Sequence, residues 1–417
     1  MRAVTLSAFR QHSDASMRYA VRRVHNAKAE ENGDFELLEQ LHGFNYNPYS
    51  LIVNEPPRWK PASSLMWDWG HCTICDGIAD VEFGMFMKQM HTNKTATTYA
   101  ELQTYVEGWS LPKSLPKLAQ LFDEAPARNN LRKDNFTSSA SEFLTLVPIL
   151  VRYLSVICLA RGDCMPFVLS MLACLEVMEL LQAIKRGVVA PEILQAAIER
   201  HLKLFVEAYG GDRVRPKHHY MLHLGKMLLY FGTLLATLVN ERKHRRVIQY
   251  SRDRHSLVSW ELGCLEEITC HQLYEMSEPY MQSGLKDTHP PARNVMFLLR
   301  EMFPEVPQGA FKVSATFKSE NGYVKVGDVV LWWSDSWRIG ELLMLLAVQG
   351  TSLAILSKWR ACNAGCYDKL ARFLKVDDES LMVSADSLEC SLTHRPCYNN
   401  TLTTVYIPFE YRGQRYA

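Results

Sequence analysis

Two long apolar stretches constrain the fold of this 417-residue chain more than any other feature. They span residues 143–160 and 165–184, and only scattered residues such as Arg152 and Glu179 interrupt them. A membrane-spanning helix needs about 20 apolar residues, and an arginine in the middle of such a span is costly. The pattern therefore favours two buried helices in a helical domain, with a two-helix membrane hairpin as the less favoured alternative.

The overall charge of the chain is almost balanced. Lysine plus arginine number 46 against 45 aspartate plus glutamate, so the formal net charge is +1. No global field draws such a chain onto a polyanion, and any nucleic-acid surface has to be a local patch. The 11 cysteines show no framework spacing and the first residues are polar and basic. We therefore expect reduced thiols in a reducing compartment.

The hydrophobic pattern changes along the chain. Residues 99–205 read as helices, and 191–209 has a proline suited to its first position and glycines suited to its end. Helical periodicity continues over 217–280. After residue 307 the pattern alternates, which predicts strands near 311–318, 324–333, 352–359, 381–383 and 403–407 and a turn at Asn321-Gly322. The sequence thus predicts a mixed α+β protein, mostly helical, with a small β-rich C-terminal module.

The first candidate for chemistry is Asp68, in the segment WDWGH followed by an apolar helix. A carboxylate at such a position is a usual metal ligand. Asp is equally a preferred helix N-cap, whose side chain accepts a backbone N–H, and this simpler interpretation is favoured from spacing alone. Cys72 and Cys75 form a lone C-x-x-C without two further ligands at matched spacing, so no structural zinc is expected.

The second candidate is the segment 216–224, PKHHYMLHL. His219 and His223 are spaced as i and i+4, so one helix face presents both imidazoles, as some metal sites do. No glutamate lies between them in the pattern of a metalloprotease. Histidines packed in a polar seam or contacting phosphate are the favoured interpretation.

The third candidate is Glu241, within the basic segment 240–254. If a helix with the apolar face Phe231, Leu234 and Leu238 continues, Glu241 falls on its inward side. The alternative is a surface ion pair with Arg245. Residues 212–255 contain ten Lys/Arg and three Asp/Glu, an excess of +7 in a chain of +1. The concentration of this charge favours a phosphate-facing patch over a merely solvated helix.

In this order, the three segments resemble the DDE/D transposases of the plant-type CACTA (TNP2-like) and the related KDZ groups. These enzymes have an Asp-x-Met-His motif, then a glycine-containing helix with an acid, then PKHH-x-x-x-H, and then a Glu followed closely by Lys-His. The matching positions here are Asp68, His71, Gly77, Glu82, Gly84, Lys217, His218, His219, His223, Glu241, Lys243 and His244. Gly70 replaces the methionine of the first motif. The resemblance covers residues 40–260, and the combination is more specific than any single motif.

The resemblance implies a ribonuclease-H-like catalytic core in which acidic residues hold two divalent cations, Mg²⁺ or Mn²⁺, for in-line cleavage and transfer of DNA strands. On this basis Asp68 is the second acid and Glu241 the third, with His71 and His244 beside the metals. The long stretch between the two acids is expected to house a helical insertion. The expected DNA-contacting residues are Lys217, His218, His219, Arg242, Lys243, Arg245 and Arg246.

One departure from the family concerns the first catalytic aspartate. It should lie on a strand well before the second, but Asp68 is itself close to the start of the chain, and the candidates Asp14 and Asp34 lie in polar sequence. We therefore expect a 5′-truncated copy, or a gene derived from one, with an incomplete ribonuclease-H-like core and no strand-transfer activity. A non-catalytic nucleic-acid-binding or scaffold protein is the alternative.

The expected segments are 1–63 (core remnant), 64–90 (strand and helix with Asp68), 91–211 (helical insertion), 212–305 (helical remainder of the core) and 306–417 (β-rich module). The last resembles small barrels of the Tudor or bromo-adjacent-homology type. The expected partner is DNA rather than a membrane. Self-association is left open, and the class implies a nuclear location.

Overall fold

The computed structural model describes residues 5, 7, 12–30, 34–49, 52, 60–74, 76–238, 247–248, 250–252, 259–277, 283–319, 322–362, 370–397 and 402–412. The side chains of 274–275, 277, 370–378 and 397 lie outside this description. Helices predominate up to Ser277 and antiparallel strands after it. The expected mixed α+β class is therefore confirmed.

The described helices form most of the chain up to residue 302. They are α1 (Asp14–Ala29), α2 (Phe35–His42), α3 (Trp69–Thr73), α4 (Ile78–Thr92), α5 (Tyr99–Glu107), α6 (Glu124–Lys133), α7 (Ala140–Tyr153), α8 (Leu159–Arg161), α9 (Met165–Ala183), α10 (Pro191–Tyr209), α11 (Pro216–Met221), α12 (Leu224–Phe231), α13 (Trp260–Ser277) and α14 (Arg293–Met302). A π-helical turn, Leu154–Cys158, joins α7 to α8.

Local sequence explains how the long helices begin and end. Ser139 and Glu142 form a reciprocal capping box at the start of α7. Pro191 opens α10, and Gly210 follows its last residue with a φ of +89°, a conformation that glycine adopts without strain. These two helices, with α9 between them, belong to the helical body of the molecule, defined here as residues 60–231.

Two stretches, Ala140–Arg161 and Met165–Arg186, are long and apolar enough to cross a membrane by length and composition. In the structure, 61% and 72% of the residues in their most apolar windows are buried. Both contribute fully buried side chains to the largest hydrophobic core, including Leu146, Leu150 and Leu175. These helices are the centre around which the helical body packs.

The strands form the C-terminal module, residues 284–412. They are β1 (Gly284–Lys286), β2 (Phe311–Ser314), β3 (Thr316–Ser319), β4 (Gly322–Lys325), β5 (Val329–Trp333), β6 (Trp337–Val348), β7 (Thr351–Ala361), β8 (Leu370–Ser384), β9 (Leu388–Ser391), β10 (His394–Cys397) and β11 (Leu402–Tyr406). One sheet has the order β10-β11-β8-β7-β6-β5-β9 with β2 on β6, and a second has β1-β3-β4.

Several strand predictions need correction. The predicted strand 311–318 is two strands that turn at Ala315, so they enter different sheets. The predicted strand 324–333 is broken at Gly327, whose φ of +88° an extended strand does not allow. The hairpin between β3 and β4 is confirmed by the pairing of Ser319 with Gly322, although Asn321 itself lies outside the described residues.

A helix running through Phe231 to residue 239 was also predicted, and this was wrong. Helix α12 ends at Phe231 because Gly232 adopts a left-handed conformation, φ +70°. Residues 234–236 then run without regular structure, and the carbonyl oxygen of Leu235 accepts a hydrogen bond from the backbone N–H of Trp69 at 3.3 Å. The apolar face from Phe231 to Leu238 is therefore interrupted at Gly232, and Glu241 itself lies outside the described residues.

The mixed sheet of a ribonuclease-H-like core does not appear in the part of the chain that the structure describes. None of the described residues before Gly284 forms a strand, and Ser110 makes an isolated bridge with His394. Asp14 is the first residue of α1, where its carboxylate accepts hydrogen bonds from Ala62 and Ser63. Asp34 precedes α2.

The helical body and the C-terminal module contact each other through charged side chains. The buried carboxylate of Glu179 on α9 accepts hydrogen bonds from Arg412 at 2.6 Å and from the hydroxyl of Tyr406 at 2.5 Å. Arg186 donates to Glu389 at 2.7 Å. Glu179 on α9 and Arg186 just after this helix thus contribute polar contacts between the two parts.

Candidate functional site

The structure brings the Asp68 segment and the PKHH segment together, although they lie far apart in the sequence. The ring of Trp67 stacks on Tyr220, with centroids 4.1 Å apart and planes 8° from parallel. Nζ of Lys217 donates to the backbone oxygen of Asp76 at 3.1 Å. The segments around Asp68 and PKHH therefore form one continuous region, which we call the motif cluster (residues 67–84 and 216–238).

Asp68 is the N-cap of α3. Its Oδ1 accepts hydrogen bonds from the backbone N–H of Gly70 at 2.8 Å and of His71 at 3.4 Å. Its Oδ2 lies 2.6 Å from Nδ1 of His71 and accepts hydrogen bonds from the hydroxyl and the backbone N–H of Thr237. Burial raises the pKa of Asp68, but the hydrogen bonds from Thr237, His71 and Gly70 outweigh it, so the pKa is lowered overall. Both oxygens of this carboxylate already have structural partners.

The last described residues of the motif cluster lie against this cap. A Cβ atom on Gly70 would meet the side chain of Leu238 at 2.9 Å, so glycine at this position makes room for this segment. The third expected acid and the basic residues that follow it lie outside the described residues: Glu241, Arg242, Lys243, His244, Arg245 and Arg246. The expected approach of Glu241 to Asp68 thus stays a prediction.

The histidines of the PKHH segment have different environments. His218 is 3% exposed, and its Nδ1 accepts the backbone N–H of Arg215 at 3.0 Å, so it offers no surface to a phosphate. Burial is also the main cause that lowers the pKa of His218 to about 3. His219 and His223 lie side by side with their Nε2 atoms 3.3 Å apart, and burial lowers the pKa of His223 to about 4. His219 and His223 thus pack against each other and are partly buried, and whether they contact phosphate stays a prediction.

The glycines and the acid of the second motif have structural explanations. A Cβ atom on Gly84 would lie 2.5 Å from the backbone of Asn135, and one on Gly77 would overlap the backbone of Thr73 and Ile74. Glycine is therefore required where these segments cross. Glu82 is completely buried on the same helix, α4.

Glu82 is held by side chains from two other helices. Its Oε1 accepts a hydrogen bond from the hydroxyl of Ser170 at 2.6 Å, and its Oε2 lies 2.7 Å from Nε2 of His201. The thiol of Cys174 belongs to the same group, and its pKa is raised well above the usual value by burial and by the charge of Glu82. Sequence reasoning missed Ser170, Cys174 and His201, because each lies inside a helix without a recognisable motif.

A second acid on α4 is also buried. Asp80 is 2% exposed, and burial is the main cause that raises its pKa to about 7. Its Oδ2 accepts the backbone N–H of Asp76 at 3.1 Å. The start of α4 thus combines two buried carboxyl groups, of which Asp80 faces the turn before the helix and Glu82 faces α9 and α10.

Comparison with models of known protein families, with curated protein sequences and with solved structures gave no significant match.

Proposed function

We propose that this chain is derived from a DDE/D transposase of the CACTA or KDZ type and that it binds DNA without cleaving it. The observation that carries the proposal is the convergence of the separately matched motifs. The stacked pair Trp67 and Tyr220 and the contact from Lys217 to Asp76 join segments that the resemblance assigns to one site. In this view the motif cluster, and not a complete ribonuclease-H-like sheet, corresponds to the catalytic core of the transposases.

The state of Asp68 argues against metal-dependent cleavage. A carboxylate in a two-metal site offers its oxygens to the cations. Here one oxygen of Asp68 caps α3 and the other is engaged by His71 and Thr237. Binding a cation would cost this cap, which typically contributes about 0.5–2 kcal/mol to stability.

The local positive charge supports the binding function. Arg213, Arg215 and Lys226 are exposed in the described part of the 212–255 segment. The same segment has a net charge of +7, whereas the whole chain has +1. Neutralising phosphates releases counterions from DNA, so such a patch binds without reading the sequence.

The proposal is tested by measuring DNA binding of the full chain by fluorescence anisotropy at several salt concentrations. Replacing Arg213 and Arg215 with glutamine should weaken binding uniformly across sequences and reduce the slope of log K against log salt by about 1 per lost contact. Replacing Arg242, Lys243, Arg245 and Arg246 together should have a larger effect. Arg293→Gln with Arg300→Gln, two exposed arginines on α14, is the matched control and should change little.

A nicking assay on supercoiled DNA with Mg²⁺ or Mn²⁺ separates binding from catalysis. We expect no metal-dependent nicking by the wild-type chain. Nicking that Asp68→Asn abolishes would show a working metal site and overturn the non-catalytic part of the proposal. Absence of salt-dependent DNA binding at low ionic strength would overturn the remainder.

A further inference from the structure

Three side chains with metal-binding atoms meet at the centre of the helical body. Glu82 comes from α4, Cys174 from α9 and His201 from α10, and each is at most 2% exposed. One ligand atom of each lies within 4.8 Å of those of the other two. Since two bonds to one zinc ion span at most about 4.4 Å, small side-chain movements bring all three atoms around it.

Burial makes this cluster costly unless its charges are compensated. Moving a carboxylate out of water costs several kcal/mol even after relaxation. Here the carboxylate of Glu82 is hydrogen-bonded to Ser170, His201 and the thiol of Cys174, and no Lys or Arg pairs with it among the described residues. A divalent cation bound to one carboxylate and one thiolate forms a neutral group, which is the form a dry interior tolerates best.

Two further buried polar atoms next to the cluster have no partner among the described residues. Nε2 of His218 has no acceptor, and the ring of His218 lies 6.3 Å from that of His201. The hydroxyl of Tyr209 is likewise without a partner, and its pKa is raised well above the usual value by burial and by the nearby charges of Glu82 and Cys174. Buried polar groups are normally paired, so these atoms indicate a component that the protein atoms alone do not supply.

We propose that Glu82, Cys174 and His201 bind a single zinc ion that joins α4, α9 and α10. A mixed set of one oxygen, one sulfur and one nitrogen suits this borderline-soft ion and is unsuited to Mg²⁺, which takes oxygen ligands. The site is separate from the expected Asp68–Glu241 site and from the C-x-x-C that lacked further ligands. It also does not depend on DNA binding.

The geometry requires a small rearrangement. Oε2 of Glu82 and Nε2 of His201 are 2.7 Å apart, whereas two ligands of a tetrahedral zinc ion are separated by about 3.3 Å. The proton on Nε2 of His201 moves to Nδ1, and the thiol of Cys174 releases one proton to solvent when the sulfur–zinc bond forms. The fourth position is filled by water. Nδ1 of His218 accepts a hydrogen bond, so its Nε2 carries the proton, and this N–H, which has no acceptor among the described residues, can donate to that water.

Metal content and cobalt substitution test the site on the full-length chain. Protein produced with added zinc should contain about one zinc per chain, and the cobalt-substituted protein should show thiolate-to-cobalt charge-transfer absorption. Cys174→Ala should lose this absorption and at least about 100-fold in zinc affinity, since even indirect contacts to a metal are worth 10–100-fold. His218→Phe should keep the absorption and weaken binding by about 10-fold.

Cys158→Ala is the matched control, because Cys158 is as deeply buried as Cys174, at 2% exposure, in the same helical body. It should keep both the metal and the absorption band. Circular dichroism checks that each variant is folded, and Cys174→Ser provides a second variant of nearly unchanged volume. A wild-type chain that binds no zinc, or binds cobalt without the charge-transfer band, would overturn the proposal. So would retention of the band in either Cys174 variant.

Discussion

The two parts of the molecule each bury a carboxylate, but they hold it differently. In the helical body, Glu82 is completely buried and is held by the side chains of Ser170 and His201. In the C-terminal module, Asp328 is 2% exposed and accepts hydrogen bonds from the backbone N–H of Lys113 at 2.9 Å and of Lys325 at 3.0 Å. The hydroxyl of Ser391 also donates a hydrogen bond to Oδ2 of Asp328, at 2.8 Å.

The difference separates a structural carboxylate from one that can bind a ligand. The backbone N–H groups of Lys113 and Lys325 each need an acceptor, and the carboxylate of Asp328 supplies it. Asp328 is therefore explained by the turn that it closes and by the loop of the helical body that it holds. The partners of Glu82 are an imidazole and a hydroxyl, with a thiol beside them, and the first and last of these are metal ligands in their own right. The following predictions test this distinction, beginning with the largest expected effect.

Replacing Glu82 with alanine should destabilise the chain by about 3–5 kcal/mol, because it leaves His201 and Ser170 buried without their partner. Glu82→Gln should cost less, since the amide oxygen still accepts one of the two hydrogen bonds. Urea unfolding followed by circular dichroism, in the presence of a chelator, measures both free energies of unfolding. If both substitutions lowered the free energy of unfolding equally, the hydrogen bonds to Glu82 would not be the source of its stabilising effect.

Replacing Asp328 with alanine should cost about 1–3 kcal/mol, because the N–H groups of Lys113 and Lys325 lose their acceptor. It should leave the zinc content and the cobalt spectrum unchanged, whereas Glu82→Gln should alter both. Unfolding and metal analysis on the same samples give the two quantities. A change in metal content with Asp328→Ala would show that the two carboxylates are not as different as the structure indicates.

Periodicity and capping residues predicted the helices around the core because those signals are local. Pro191 explains where α10 begins and Gly210 where it ends, and each acts within one turn of the helix. The failure at Phe231 has a local cause as well: Gly232 ends α12, but the apolar spacing beyond it still matched a helix. The following segment is instead fixed by Trp69, which lies in a distant part of the sequence, and single-segment patterns carry no information about such contacts.

The candidate site shows the same limit. Asp68 was recognised both as a motif residue and as a possible cap, and the structure shows the cap. Glu82 was recognised through the resemblance alone. Its partners Ser170, Cys174 and His201 come from α9 and α10, and only the packing of those helices on α4 reveals them. Spacing rules relate residues that lie close together in the sequence. The three side chains lie on three separate helices, so the number of residues between them does not indicate how far apart they are in space.

The smallest predicted effect concerns Asp68. Its side chain is 19% exposed, so its burial is intermediate between that of Glu82 and Asp328 and that of the solvent-exposed carboxylates. Its pKa is lowered in the folded chain, since the hydrogen bonds from Thr237, His71 and Gly70 together outweigh burial, which alone would raise it. The unfolded state, with a pKa of about 3.9, therefore binds the proton first as the pH falls. The stabilisation is present above about pH 4 and is lost as the pH falls through the folded-state pKa.

Asp68→Asn keeps a good N-cap residue and removes the charge. It should lower the free energy of unfolding by about 1 kcal/mol between pH 5 and 7. The difference from the wild type should shrink as the pH falls below about 4 and vanish once Asp68 is protonated in the folded chain as well. Asp163→Asn, at an exposed aspartate elsewhere on the helical body, is the control. A difference that persists at low pH would mean that the shape of the side chain, and not its charge, sustains the contact with Thr237. The segment leading to Glu241 would then be held independently of any carboxylate at position 68.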